Sequence, residues 1–134
     1  MFDLTAIDTE LSRLGLGSVK QVSQLGGGDT TGGYHLACDQ GDVFMKSGPA
    51  SYQDMFDAEA DGLRELSSAG AIRVPRVLGC GRAGGSAFIA LEFLPLDADA
   101  SAADEELGEA LATMHRATSD KHGWHRHNTI GLTP

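Results

Sequence analysis

Residues 26–33 read GGGDTTGG, five glycines in eight positions. A run so poor in side chains is expected to be a turn-forming loop. Its flanks then decide what the chain becomes. Residues 19–25 (VKQVSQL) and 34–38 (YHLAC) both read as strands. Residues 39–42 (DQGD) supply a tight reversal into a third strand at 43–47 (VFMKS). Three strands joined by short loops predict an antiparallel meander.

The rest of the chain builds around that meander. Leu4, Ile7, Leu11 and Leu14 form one apolar stripe of a first helix. Residues 5–8 (TAID) are expected to be its capping box, and Gly15 and Gly17 its stop. Ser51 to Asp54 is expected to cap a second helix with apolar positions Met55, Phe56, Ala58, Leu63 and Leu66, ended by Gly70. Around Pro75, residues 73–78 read as extended, 79–85 as a loop, and 86–94 (SAFIALEFL) as a buried strand ended by Pro95. Residues 97–104 are small and acidic, like a linker. Ser101 to Asp104 is expected to cap a last helix carrying Leu107, Leu111 and Met114, with coil from Thr118 onward. The predicted fold class is α+β: a five-stranded antiparallel sheet with a helix after strand 3, an N-terminal helix and a C-terminal helix.

Composition narrows the partners. The 134 residues carry 10 Lys+Arg against 19 Asp+Glu, a formal charge of −9. Nucleic acid and anionic membranes need a basic patch, so neither is expected as a partner. No apolar run approaches a membrane span, and the N-terminus has no secretory signal pattern. Cys38 and Cys80 make neither a disulfide framework nor a zinc pattern, which predicts reduced thiols and a cytoplasmic protein.

Three elements carry possible chemistry. The first is the glycine loop, whose backbone N–H groups could approach phosphate oxygens. It is not a Walker A loop, because no Lys-Ser or Lys-Thr follows and no helix begins there. It is not a Rossmann fingerprint, because it lies between strands. It also misses the strict G-x-G-x-x-G of protein kinases, and its plain alternative is a hairpin tip. The second element is Lys46, inside an apolar strand, followed 13 residues later by Glu59 in the next helix. A strand Lys held by a helix Glu is how kinase-like folds position nucleotide phosphates. The alternative is a surface Lys and an unrelated Glu, since Asp54, Asp57, Asp61 and Glu65 share that helix. The third is Glu92-Phe93-Leu94 before Pro95, a strand end suited to presenting backbone groups to an adenine edge, or simply a core strand. His115, His122, His125 and His127 cluster late in the chain, but Arg116, Lys121 and Arg126 among them disfavour a dication.

In this order and spacing, the three elements resemble the N-terminal lobe of a kinase-like fold. Further strings resemble the fructosamine kinase (ketosamine-3-kinase) family, which is related to aminoglycoside phosphotransferases. They are residues 25–29 (LGGGD), 43–46 (VFMK), 55–63 (MFDAEADGL), 72–77 (IRVPRV), 91–94 (LEFL), 107–116 (LGEALATMHR) and 123–128 (GWHRHN) before Ile130 and Gly131. The resemblance runs over nearly the whole chain. It implies that Gly26, Gly27, Gly28, Asp29 and Thr30 cover the phosphates of ATP. It further implies that Lys46 contacts the α- and β-phosphates, that Glu59 holds Lys46, and that Glu92, Phe93 and Leu94 present backbone groups to adenine. Trp124, His125 and Asn128 receive no role from it.

Phosphoryl transfer also needs a carboxylate at the acceptor hydroxyl and ligands for Mg²⁺. His115-Arg116 is followed by Ala117 where an Asp is needed, and five residues before the single Asn128 stands Gly123. The expectation is therefore a nucleotide-binding lobe over residues 1–95. Residues 96–134 are expected to be a linker, a helix and the start of a truncated second lobe. The chain alone is expected to be inactive, with Mg²⁺ ligands and a ketosamine acceptor belonging to a longer enzyme. The rival expectation is a non-catalytic module that binds another protein or itself through the apolar surface such a second lobe would cover.

Overall fold

The computed structural model describes residues 3–26, 31–96 and 103–128. Helix α1 (Leu4–Arg13) leads into β1 (Val19–Leu25), β2 (Gly32–Cys38) and β3 (Gly41–Pro49). A 3-10 turn (Ala50–Tyr52) opens α2 (Gln53–Ala69), which is followed by β4 (Val77–Ala83), β5 (Ser86–Glu92) and α3 (Ala103–Met114). The five strands form one antiparallel sheet in the order β1-β2-β3-β5-β4. This is the predicted α+β arrangement, with its helix after strand 3.

The period of two along each strand sorts the sheet into two faces. Leu36, Val43, Met45, Phe88 and Ala90 share one face and bury Ile7 and Leu11 of α1. Leu4 and Leu14, also on the expected stripe, stay largely exposed at 45% and 41%. The other face carries Ala87, Ile89 and Leu91, which pack on Phe56 and Ala60 of α2. Burying a side chain the size of Phe56 contributes about 2–3 kcal/mol from area alone. Helix α2 lies over β4 and β5. It leaves the β1–β3 part of that face, with Leu25, His35, Phe44 and Lys46, beside it rather than beneath it. The site forms along this step.

Several local expectations are corrected. Strand β4 runs through residues 79–83, expected as a loop, because Gly84 and Gly85 make a two-residue hairpin turn. Both have positive φ (+54° and +82°), the geometry that suits a right-twisted hairpin. Strand β5 ends at Glu92 rather than residue 94, and Gly32 and Gly33, expected in the glycine loop, pair with β3 as the first residues of β2. The cap of α1 is Asp3, not the box at 5–8. Its carboxylate accepts from the N–H groups of Thr5 and Ala6 at 3.0 and 3.2 Å. Helix α2 begins after Tyr52 with no side-chain cap, so the expected cap from Ser51 is absent there. Gly70 does end α2, at φ +64°. Ser101 lies outside the described residues.

The corrected cap is testable. Asp3→Ala is expected to cost about 1 kcal/mol in urea unfolding, and Thr5→Ala a few tenths. Equal losses would return the cap to Thr5.

Candidate functional site

Lys46 lies on β3 opposite Gly33 of β2 and Ile89 of β5, so its stem crosses the face beside α2. Gly33 has no side chain to block it. Glu59 projects from the second turn of α2 toward the same step. Lys46 Nζ donates to Glu59 Oε1 at 2.7 Å, with the two side chains 33% and 28% exposed. In this half-buried setting the pair contributes about 1 kcal/mol or less to stability, so its geometry matters more than its energy. The charge of Lys46 is held at a fixed point over the central strand of the sheet, beside α2.

From that point a cavity of about 510 Å³ runs to the end of β5. Its walls are Leu25, Phe44, Leu63, Pro75 and Leu91, with Glu92, Phe93, Leu94 and Leu96 at the far end. An apolar slot of this size with one cation at its inner end suits a flat heterocycle bearing anionic groups. On the other side of the Lys46–Glu59 pair is a second cavity of about 380 Å³, lined also by Thr31, Met55, Gly62, Leu66 and Asn128.

The far end is stitched. Glu92 donates its N–H to the Arg76 carbonyl at 2.8 Å. Its carboxylate accepts from the Arg76 N–H at 3.2 Å and from Arg73 Nη2 at 3.0 Å. The Arg76 N–H, and secondarily Arg73, hold that carboxyl below its usual range. The N–H and the carboxylate of Glu92 are thus both tied to the segment after α2. Phe93 and Leu94 lie past the last strand residue, so their backbone leaves the ladder. The Phe93 ring stacks on His35, centroids 4.1 Å apart, and His35 Nε2 lies 3.1 Å from Asp42 Oδ2.

Of the residues singled out in the sequence, the structure brings Lys46, Glu59, Glu92, Phe93 and Leu94 around one cavity. Gly26 is exposed at the end of β1. Gly27, Gly28, Asp29 and Thr30 lie outside the described residues. Sequence reasoning missed the walls supplied by Phe44, Leu63 and Pro75. Strand alternation with Lys46 was the available signal for Phe44. It also missed Asp61 and Arg126, which pair at 2.8 Å. Among the described residues no group of three or more His, Cys, Asp or Glu could hold a metal ion.

Cys80, behind α2, donates to Asp57 Oδ1 at 3.2 Å. Burial, then the Asp57 carboxylate, pushes its thiol up from 9.0 to about 11. A two-unit rise cuts the thiolate fraction near pH 8 about 100-fold. Alkylation of Cys80 by iodoacetamide is expected to be slower than that of an unfolded thiol by about that factor, and urea should abolish the difference. Equal rates with and without urea would count against the buried thiol–carboxylate contact.

A five-stranded antiparallel sheet with a Lys on strand 3, a Glu from the following helix and an apolar slot reaching the end of strand 5 defines a kinase-like N-terminal lobe. The sequence profile of the fructosamine kinase family matches residues 5–134, and the chain belongs to that family. A probable ketoamine kinase of Synechocystis sp. is 33% identical over 117 residues, 87% of this chain and 40% of that protein. A chloroplastic protein-ribulosamine 3-kinase of Arabidopsis thaliana is 36% identical over 121 residues, 87% of this chain and 36% of that protein. A solved structure from Haemophilus somnus, assigned as a fructosamine-3-kinase, superposes with a TM-score of 0.85 at 27% identity, covering 96% of this chain and 44% of that one. The chain thus spans about two fifths or less of the length of these curated relatives. No helix among the described residues is long and apolar enough to cross a membrane.

Proposed function

We propose that the chain is the ATP-binding lobe of a small-molecule kinase acting on ketosamines, with residues 1–95 as the nucleotide-binding part and residues 96–134 as a linker and helix leading toward a second lobe. The single observation that carries the reading is the Lys46–Glu59 contact of 2.7 Å at the inner end of an apolar cavity that terminates at Phe93 and Leu94. The cavity walls fit an adenine ring, and the free valence of the Lys46 ammonium fits phosphate oxygens. When bound, ATP supplies the transferable phosphoryl group. Phe44 and Leu91 exclude water from the base, Glu59 orients Lys46, and Lys46 neutralises charge on the phosphates. The glycine loop, residues 26–30, is the proposed cover of those phosphates.

Magnesium is a different matter. Among the described residues no group of three or more His, Cys, Asp or Glu could hold it. The sequence likewise offers no Asp at catalytic-loop spacing before Asn128. We therefore propose that these 134 residues alone bind ATP without transferring its phosphate, and that the acceptor, a sugar hydroxyl of a fructosamine or ribulosamine, is engaged only in a longer enzyme. Calorimetric titration of the chain with ATP should give saturable one-to-one binding. Absence of binding overturns the nucleotide reading, and ATP-dependent phosphorylation of a fructosamine by the chain overturns the inactivity.

A second reading, a self-associating module, draws on the apolar surface of the C-terminal region. Leu96 is 93% exposed, and Leu107 and Leu111, one turn apart on α3, are 52% and 41% exposed. Light scattering after gel filtration should then show dimers or larger species. A strict monomer at high concentration removes this reading.

A further inference from the structure

Helix α2 is gripped from two sides. Its inner side packs on the sheet through Phe56 and Ala60. Its outer flank carries Asp54, Asp57 and Asp61 at spacings of three and four, so the three acidic residues line one side of the helix. Like charges at such spacing repel by a few tenths of a kcal/mol, and two of the three meet donors. Asp57 Oδ1 takes Gln53 Nε2 at 2.8 Å and Cys80. Asp61 is met from within the helix by Arg64 at 3.4 Å.

The stronger contact to Asp61 comes from far along the chain. Arg126 Nη1 donates to Asp61 Oδ2 at 2.8 Å, its Nη2 donates to the Asp54 carbonyl at 3.4 Å, and His125 Nε2 lies 3.9 Å from Asp61 Oδ2. The Arg126 and Asp61 side chains are 30% and 31% exposed. The guanidinium holds the Asp61 carboxyl below its usual range. Two residues after Arg126, Asn128 lines the second cavity together with Thr31, Lys46 and Glu59. Glu59 and Asp61 are two positions apart, which puts them on nearly opposite sides of the helix. Residues 126–128 therefore cross the solvent side of α2, from the Asp61 flank to the Glu59 flank.

We propose that residues 124–128 form a strap over α2 in which Arg126 is a positioning residue: by anchoring on Asp61 it fixes the rotation of α2 that keeps Glu59 on Lys46, and it delivers Asn128 to the phosphate side of that pair. The phosphate side rests on the nucleotide reading above; the coupling of Arg126 to the Lys46–Glu59 pair does not. Because the strap and the pair grip the same helix, the linkage is reciprocal. A ligand drawn to Lys46 tightens the strap, and loosening the strap weakens the ligand.

The chain supplies its own reporters. Trp124 is its single tryptophan and lies in the strap, its ring 4.7 Å from that of His125. Lys46, Lys20 and Lys121 are its three lysines. Limited acetylation of the folded chain, read by mass spectrometry at each lysine, reports whether Glu59 still holds Lys46. In Arg126→Gln and in Asp61→Asn, Lys46 should be acetylated about twofold or more faster than in the parent, with Lys20 on β1, away from the strap, as the internal standard. The double variant should add little to either single change. Unchanged Lys46 labelling in both variants overturns the proposal. A merely structural role would lower the melting temperature without changing the Lys46 to Lys20 ratio in the folded state.

ATP titration supplies the second arm. Trp124 emission should change saturably in the parent, while Arg126→Gln should bind about fivefold more weakly with little emission change. Parent-like affinity in Arg126→Gln also overturns the proposal. If the parent binds no ATP, the nucleotide reading fails, and Lys46 labelling alone then decides the strap.

Discussion

Replacing Lys46 with Ala is expected to weaken ATP binding by roughly 30-fold, about 2 kcal/mol, the magnitude of one charge-assisted hydrogen-bonding partner. The change acts twice. It removes the cation at the inner end of the cavity, and it leaves the Glu59 carboxylate, 28% exposed, facing the phosphates without its 2.7 Å partner. Glu59→Gln removes the orienting charge but keeps the ammonium, so its loss should be only several-fold. The double variant should be less impaired than the product of the two, because the residues act as one unit. Both variants should unfold within about 1 kcal/mol of the parent, since a half-exposed ion pair adds little stability. Calorimetry on the three variants checks the order. Indifference of ATP affinity to Lys46→Ala would remove the nucleotide role from this pair. A pure interaction module predicts that indifference.

The largest expected loss of stability belongs to Phe56→Ala. Phe56 has no exposed surface and lies between α2 and Ala87, Ile89 and Leu91 of β5. Truncating a buried Phe to Ala costs about 3–5 kcal/mol, from lost transfer energy and the cavity left behind. A domain of this size has only about 5–15 kcal/mol in total. The consequence extends beyond stability, because Phe56 lies one helical turn from Glu59. A loosened α2 carries Glu59 away from Lys46, so Phe56→Ala should also weaken ATP binding at temperatures where the chain is still folded. Phe56→Leu, which keeps most of the volume, should lose about 1–1.5 kcal/mol and retain affinity. Urea unfolding and ATP titration of both variants test this. A Phe56→Ala protein as stable as the parent would show that α2 is not held by this contact. The exposed Leu107 and Leu111 of α3 provide the contrast: Ala there should cost less than about 0.5 kcal/mol.

Much of this arrangement was legible in the sequence, and the reasons differ by element. The strands β1, β2 and β3 announce themselves through alternation and the reversal at residues 39–42. Lys46 and Glu59 stand out because a charged residue in an apolar strand needs an explanation. Strand β4 did not announce itself. Gly79 and Gly81 depress strand propensity, although both pair with β5. A Cβ on Gly79 would come within 2.5 Å of Leu14, whereas one on Gly81 would meet Phe88 at an ordinary 3.6 Å. The close approach at Gly79 is a tertiary contact that only the folded chain reveals. The α1 cap was misplaced by two residues because TAID fits the capping pattern, whereas the extended backbone of Asp3 (φ −79°, ψ 105°) lets its carboxylate reach two amides. The Arg126–Asp61 pair spans 65 positions and leaves no local signature.

The stitching of Glu92 has a mechanical consequence. The strand end is fastened to the segment after α2 through the amide, carbonyl and side chain contacts of Arg73 and Arg76, so Glu92 moves as one rigid body with the sheet. Phe93, just past that strand end, stacks on His35 of β2. A force that pulled on the chain after Glu92 would thus part Phe93 from His35 before it broke the contacts that tie Glu92 to Arg73 and Arg76.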